Sequence, residues 1–353
     1  MDKTITIEGK KIGEGCPTYI IAEMSANHMQ DLFRAKKIIL AAKEAGADAV
    51  KLQTYRPETI TIDCRGEEFM ATKGSLWEGR NLYQLYEEAY LPWEWHKELF
   101  EYAKEVGITI FSSPFDPTAI DLLEELDAPA YKIASYEILD IPLIKKAAKT
   151  GKPIILSTGI AERADIERAV AVCKEENNHS IAILKCVSQY PTSYPDINLR
   201  TIPNIVASFG CVAGLSDHSM GSAVDVAAVA LGACIIEKHL TLNRADGGPD
   251  GAFSMEPEEF SQMVKDVRNV GLALGKCTYE LTEAQKHGRK NARSLYVVED
   301  IAAGGTFTEQ NVRSIRPGRG IPTWYLNDIL GKKAACDIKR GTAMSWEFID
   351  KEH

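Results

Sequence analysis

The chain has 353 residues, 45% hydrophobic and 26% charged, with a formal net charge of −9. This length suits one large domain plus a small one, and the acidic balance argues against a non-specific nucleic-acid binder. No apolar run is long enough to span a bilayer, and the opening Met1-Asp2-Lys3-Thr4 does not read as a signal peptide. None of the eight cysteines forms a CxxC pair, so a reducing cytoplasm is the expected setting.

Thr4 to Ile7 and the run after Lys10-Lys11 alternate around Glu8-Gly9, which predicts a short hairpin at one end of the main domain. A strand–helix repeat follows. Its strands are read at 19–23, 49–53, 109–113, 131–135, 153–158 and 181–187, then at 211–215 and 234–236. Amphipathic helices are read between them, for example Leu32 to Ala45 closed by Gly46, and Pro92 to Val106. Thr54 to Leu91 is read as one long insertion, and the last helix as Glu256 to Leu274. Eight such units predict a (β/α)8 TIM barrel. A doubly wound open sheet is the alternative, but the first strand lacks GxGxxG.

The pattern changes near Gly288. Helical periodicity stops, and short strands with turns take over in a β-rich C-terminal domain, giving predicted domains of 1–285 and 286–353. Residues 286–353 carry 12 Lys/Arg against 8 Asp/Glu, so the acidic excess belongs to the barrel. Such a tail is either a solvated appendage or a docking module for the barrel or a second subunit.

In a barrel, chemistry lies at the C-terminal ends of the strands. Those ends carry Glu23, Lys51, Gln53, Ser112, Ser113, Lys132, Ser135, Glu137, Ser157, Thr158, Ser188, Tyr190, Ser216, Asp217, His218 and His239. Lys51 and Lys132 sit inside apolar runs, where a charge is costly unless paired or used. With the hydroxyls around them they suit an anion such as phosphate or carboxylate; pairing of Lys51 with Glu23 is the structural alternative. His218 and His239 end consecutive strands of one β–α–β unit, so both fall at the same sheet end and suit a divalent metal. Glu23 is a candidate acid or base, and Glu137 and Asp250 are candidate partners for sugar hydroxyls or proton-transfer groups. The residues by themselves indicate a metal-dependent barrel enzyme acting on an anionic small molecule.

Several motifs occur together and in order: Ile21-Ala22-Glu23, Val50-Lys51-Leu52-Gln53-Thr54, Ser113-Pro114-Phe115, Tyr131-Lys132-Ile133-Ala134-Ser135, Leu156-Ser157-Thr158-Gly159, Tyr190-Pro191-Thr192, Gly214-Leu215-Ser216-Asp217-His218, Glu237-Lys238-His239 and Gly248-Pro249-Asp250. In this the chain resembles the sialic-acid-type nonulosonate synthases. Its C-terminal piece, with Arg316-Pro317-Gly318 and Gly331-Lys332, is similar to that family's antifreeze-like (SAF-type) domain. The resemblance implies condensation of phosphoenolpyruvate with an aminosugar. It implies that Lys51 and Ser216 hold the carboxylate side of phosphoenolpyruvate, and Ser113, Lys132, Ser135 and Ser188 its phosphate. It further implies a Mn2+-type ion on His218 and His239 (Mg2+ or Co2+ being alternatives), with Gln53, Tyr190 and Asp250 facing the sugar. Arg316 is expected to serve the other subunit of a domain-swapped homodimer.

The insertion, with Trp77, Tyr83 and Tyr86, and the helix start after it, with Trp93 and Trp95, look like the pseudaminic acid synthase branch. An aromatic insertion suits a sugar with fewer hydroxyls, such as a 6-deoxy, di-N-acetylated hexose. The N-acetylneuraminate and legionaminic acid branches share the chemistry and are the nearest alternatives. A pyruvate aldolase or a sugar- or ice-binding protein is more distant.

Overall fold

The computed structural model describes residues 4–351. The chain divides into two compact units, Met1–Gly275 and Lys276–His353. Among the described residues no helix is long and apolar enough to cross a membrane.

The first unit opens with a hairpin of β1 (Thr4–Ile7) and β2 (Lys10–Gly13), paired antiparallel. Eight parallel strands then close a barrel: β3 (Tyr19–Glu23), β4 (Ala49–Thr54), β5 (Thr109–Pro114), β6 (Tyr131–Ile133), β7 (Ile154–Ser157), β8 (Ile181–Lys185), β9 (Val212–Asp217) and β10 (Ile235–His239). β10 pairs with both β9 and β3, which completes the ring. The (β/α)8 reading therefore holds, and the open doubly wound sheet does not.

Alternation along the strands sorts side chains into two cores. Ile20, Ala22, Val50, Leu52, Ile133, Leu156, Ile183 and Leu215 face outward and pack beneath the helices. Tyr19, Ile21, Ala49, Phe111, Ala130, Ile155, Ala182, Leu184, Val212 and Ile235 fill the interior, joined by Ile5, Ile7 and Ile12 of the hairpin. The hairpin thus plugs the amino-terminal end, as its apolar alternation indicated. Gly214 is required in this filling, because a Cβ there would lie 2.5 Å from Leu184 and 2.6 Å from the Ile235 carbonyl. The inward phase continues past the apolar layers into Glu23, Lys51, Ser113, Lys132, Ser216, Glu237 and His239, all buried at the carboxyl ends.

The helices follow simple local rules. Asp31 accepts the Phe33 and Arg34 N–H groups at the start of Leu32–Ala45, and Gly46 ends that helix at φ 91°. Pro92 caps Trp93–Val106 rather than lying within it. The 54–91 insertion is not structureless; it holds the helices Pro57–Ile60 and Leu82–Ala89.

The second unit has its own core, including Leu295, Val297, Phe307, Val312, Ile329, Ala334 and Met344. β11 (Ser294–Val297) pairs antiparallel with β12 (Val312–Ile315), and isolated bridges such as Ile301 to Ile338 tie the rest. A helix over Leu326–Ile329 stands where the sequence pattern indicates only strands and turns. Four residues are too few for helical periodicity to be visible.

Candidate active site

At the carboxyl end of the barrel four buried charges share one network. Glu23 on β3 and Lys51 on β4 form an ion pair. Glu237 on β10 lies 3.4 Å from Lys132 and 3.8 Å from Lys51. The Ser216 hydroxyl donates to Glu237 at 3.0 Å, and Lys51 donates to Ser113 at 3.2 Å. Two ammonium groups and two carboxylates balance, which is how the barrel tolerates charge at this depth.

Burial sets the proton affinities of these groups. It pushes the Glu23 carboxyl up to about 7, against the pull of Lys51. It lowers Lys132, only partly countered by Glu237. Burial would also raise Glu237, but Lys132 and Lys51 hold that carboxylate below its usual range. Glu137, in the turn after β6, is likewise pushed up to about 7, chiefly by burial.

Beside this network lies a hydroxyl cradle. The Gly159 N–H donates to Ser135 Oγ at 3.1 Å. A Cβ on Gly159 would sit 2.2 Å from Ser188 Oγ and 2.6 Å from Ser135 Oγ, so only glycine leaves these hydroxyls in place. The hydroxyls of Ser157 and Ser188 are buried without a protein partner. Unspent donors next to buried lysines suit the oxygens of an anion.

The two histidines converge as expected from their strands. Their ring centroids are 5.3 Å apart. His218 Nδ1–H donates to the Val187 carbonyl at 3.0 Å, which orients the ring; burial lowers the proton affinity of this imidazole, but the neighbouring Cys186 raises it more. His239 Nδ1 is buried with no partner, and burial holds that imidazole well below its usual pKa, hence neutral. Two converging imidazoles, one of them with an unpartnered buried nitrogen, fit a divalent ion. Among the described residues no group of three or more His, Cys, Asp and Glu converges that could hold a metal ion.

An aromatic wall flanks the pair. Tyr190 packs on His218 at 4.3 Å, and Phe253 packs on His239 at 4.9 Å. Trp77 reaches Tyr190 at 5.7 Å, and its indole N–H donates to the Pro249 carbonyl at 3.1 Å. Gln53 donates to Glu23 at 3.0 Å and to Ser25 at 3.2 Å, and the Ser25 hydroxyl bonds Asp250. The insertion and the loop after β10 are thereby joined to the mouth of the site.

The structure brings Glu23, Lys51, Gln53, Ser113, Lys132, Ser135, Ser188, Tyr190, Ser216, His218, His239 and Asp250 to one barrel end. Ser112 and Asp217 point outward instead: Ser112 bonds Thr54 at 2.6 Å, and Asp217 pairs with Lys238. Arg316 lies in the second unit, exposed, just after β12. Sequence reasoning missed Glu237, Ser25 and Phe253 as site residues. For Glu237 a signal existed, since a residue two before an inward histidine on a strand must also face in.

A model of the NeuB family matches residues 38–279, and a SAF-domain model matches residues 292–350. The chain belongs to the NeuB family. This NeuB-family chain is 45% identical over 336 residues to a pseudaminic acid synthase of Helicobacter pylori, covering 95% of this chain and 98% of that one. It is 46% identical over 326 residues to a pseudaminic acid synthase of Campylobacter jejuni, covering 92% and 95%. With an N,N'-diacetyllegionaminic acid synthase of Campylobacter jejuni the identity is 37% over 328 residues, covering 91% and 97%. Among solved structures, an N-acetylneuraminic acid (sialic acid) synthetase from Leptospira borgpetersenii superposes with a TM-score of 0.71 at 34% identity, covering 81% of this chain and 94% of that one. These relatives are synthases, so this NeuB-family chain is an enzyme, and the barrel with a SAF-type tail is the architecture the sequence resemblance implied.

Proposed function

We propose that the chain is a pseudaminic acid synthase, condensing phosphoenolpyruvate with 2,4-diacetamido-2,4,6-trideoxy-β-L-altropyranose and water to give pseudaminic acid and phosphate. The observation that carries this is the gap in identity: 45% and 46% to two pseudaminic acid synthases, against 37% to a legionaminic one. The aromatic wall of Trp77, Tyr190 and Phe253 supports it, because it offers apolar surface to a sugar lacking a hydroxyl at C6.

The residues take these roles. Lys132, Ser113, Ser135 and Ser188 receive the phosphate of phosphoenolpyruvate, while Lys51 and Ser216 receive its carboxylate. Gln53, Tyr190 and Asp250 orient the sugar, and Glu137 serves a sugar hydroxyl or a proton transfer. His218 and His239 would hold a divalent ion (Mn2+, with Mg2+ or Co2+ as alternatives), whose Lewis acidity would polarise the sugar aldehyde. The enol carbon of phosphoenolpyruvate attacks the aldehyde carbon, water adds at the former enol-ether carbon, and the C–O bond to phosphate breaks. Glu23, with its affinity pushed to about 7, is suited to take the proton of that water. Arg316, on the basic second unit, serves the barrel of a second copy in a domain-swapped dimer. All eight cysteines are free, which suits a reducing cytoplasm.

Phosphate release from phosphoenolpyruvate, measured with Mn2+ and each candidate sugar in turn, tests the assignment. Release with the 6-deoxy altro sugar alone is expected. Release with N-acetylmannosamine, or with the legionaminic precursor, would move the chain to another branch.

A further inference from the structure

Outside the barrel lumen, directly behind the histidine pair, lies a second buried ion cluster that the reaction does not use. Lys238 is 1% exposed, Asp217 3% and Asp225 0%. The Lys238 ammonium pairs with Asp217, lies 3.2 Å from Asp225 and donates to the Gly221 carbonyl at 2.9 Å. Asp217 in turn accepts the Ser219 N–H at 2.9 Å and the Ser219 hydroxyl at 2.8 Å. Lys238 and Asp217 are register partners on β10 and β9, and Asp225 sits in the first turn of helix Ala223–Ala230. One ammonium therefore ties together two strands, the loop between them and the helix that follows.

A stability role does not account for this arrangement. An ammonium and two carboxyl groups buried beneath a helix cost desolvation energy, enough to push Asp225 up to about 8, and apolar side chains of similar volume commonly serve as well or better. What the cluster supplies is direction. His218 lies one residue past the end of β9, where only its carbonyl, accepting the Thr192 N–H at 3.1 Å, and its ring, bonded to Val187, hold it directly, whereas His239 is still on β10. The cluster holds the loop that carries His218 at Ser219 and at Gly221, while Tyr194 holds it at the Met220 carbonyl. On the metal reading of the preceding section, we propose that Lys238, with Asp217 and Asp225, is a positioning residue that locks the His218 arm against His239 and so sets the affinity and geometry of the divalent-ion site.

The test uses the full-length protein and the metal alone. A triple variant, Lys238→Met with Asp217→Asn and Asp225→Asn, removes the ammonium and both carboxyl groups together, so no buried charge is left unpaired. Mn2+ binding is followed by electron paramagnetic resonance, Co2+ coordination by its visible absorption, and folding by thermal melting. The expected result is melting close to the parent, Mn2+ affinity weakened about tenfold or more and an altered Co2+ spectrum. Parental Mn2+ affinity in the folded triple variant would overturn the proposal. If the triple variant does not fold, Asp225→Asn alone decides. A loss of about threefold or more at unchanged melting supports the clamp, and parental affinity rejects it. His218→Ala is the control for the underlying reading. If the parent binds no Mn2+, or His218→Ala binds it equally well, the metal site itself is wrong and the clamp falls with it.

Discussion

Glu23 and Lys51 are register partners on adjacent parallel strands, and their side chains meet as an ion pair buried from solvent. The pair was the structural alternative to a catalytic role for Glu23, yet it does not exclude one. Burial outweighs the ammonium and leaves the carboxyl with an affinity of about 7, so both protonation states are accessible near neutrality.

From this follows a pH dependence. A base must be deprotonated, so kcat/KM should rise with pH through about 7 and level off above it. Glu23→Gln should remove that limb and lower turnover by roughly a hundredfold or more. A pH–rate profile of both proteins decides; the same limb in the variant would assign it elsewhere.

Gly159→Ala is the most local test of the anion cradle. The added methyl collides with the hydroxyls of Ser135 and Ser188, so the requirement for phosphoenolpyruvate should rise about tenfold or more while that for the sugar changes little. Steady-state kinetics with each substrate varied separately reads this directly, and a selective effect on the sugar would misplace the phosphate.

Removal of divalent ions with a chelator should abolish turnover, and added Mn2+ should restore it. His218→Ala and His239→Ala should each lose the restoration with little change in melting, because both rings line the lumen rather than the helix-covered core. Full activity in either variant would exclude the pair as ligands.

Trp77→Ala should weaken discrimination among sugars rather than chemistry. Removing the indole opens the wall beside Tyr190, and a 6-deoxy sugar should lose about 1–3 kcal/mol of preference over a 6-hydroxy one. Competition between the two sugars in one reaction measures the ratio; an unchanged ratio removes Trp77 from substrate selection.

Stability should fall in mild acid. Burial lowers His28 and His96 from the ordinary 6.5 to about 4, so both are neutral in the folded protein. The unfolded chain protonates first as pH falls below 6.5, and stability present above that value is lost progressively down to about 4. The loss is roughly 3 kcal/mol for each histidine at most. Urea unfolding at pH 7 and pH 4.5 measures it. His96 bridges Thr54 and the Pro92 carbonyl at 2.8 and 3.2 Å, so replacing it with Gln should lower stability at pH 7 but flatten the slope.

Much of this enzyme was determined by the sequence alone, through periodicity. Eight apolar runs separated by amphipathic helices specify a barrel, and a two-residue repeat carries Glu23, Lys51 and His239 inward wherever the apolar phase points inward. Two histidines at consecutive strand ends had to converge, because parallel strands joined by a helix share their ends. Other relationships rest on register and closure, which no local pattern encodes. Glu237 serves both lysines only because β10 closes onto β3. Trp77 meets Tyr190, and Lys238 gathers Asp217, Asp225 and Gly221, across distances in sequence that only packing can bridge. Local sequence determines which residues a strand presents to the lumen; the tertiary fold decides which of them touch.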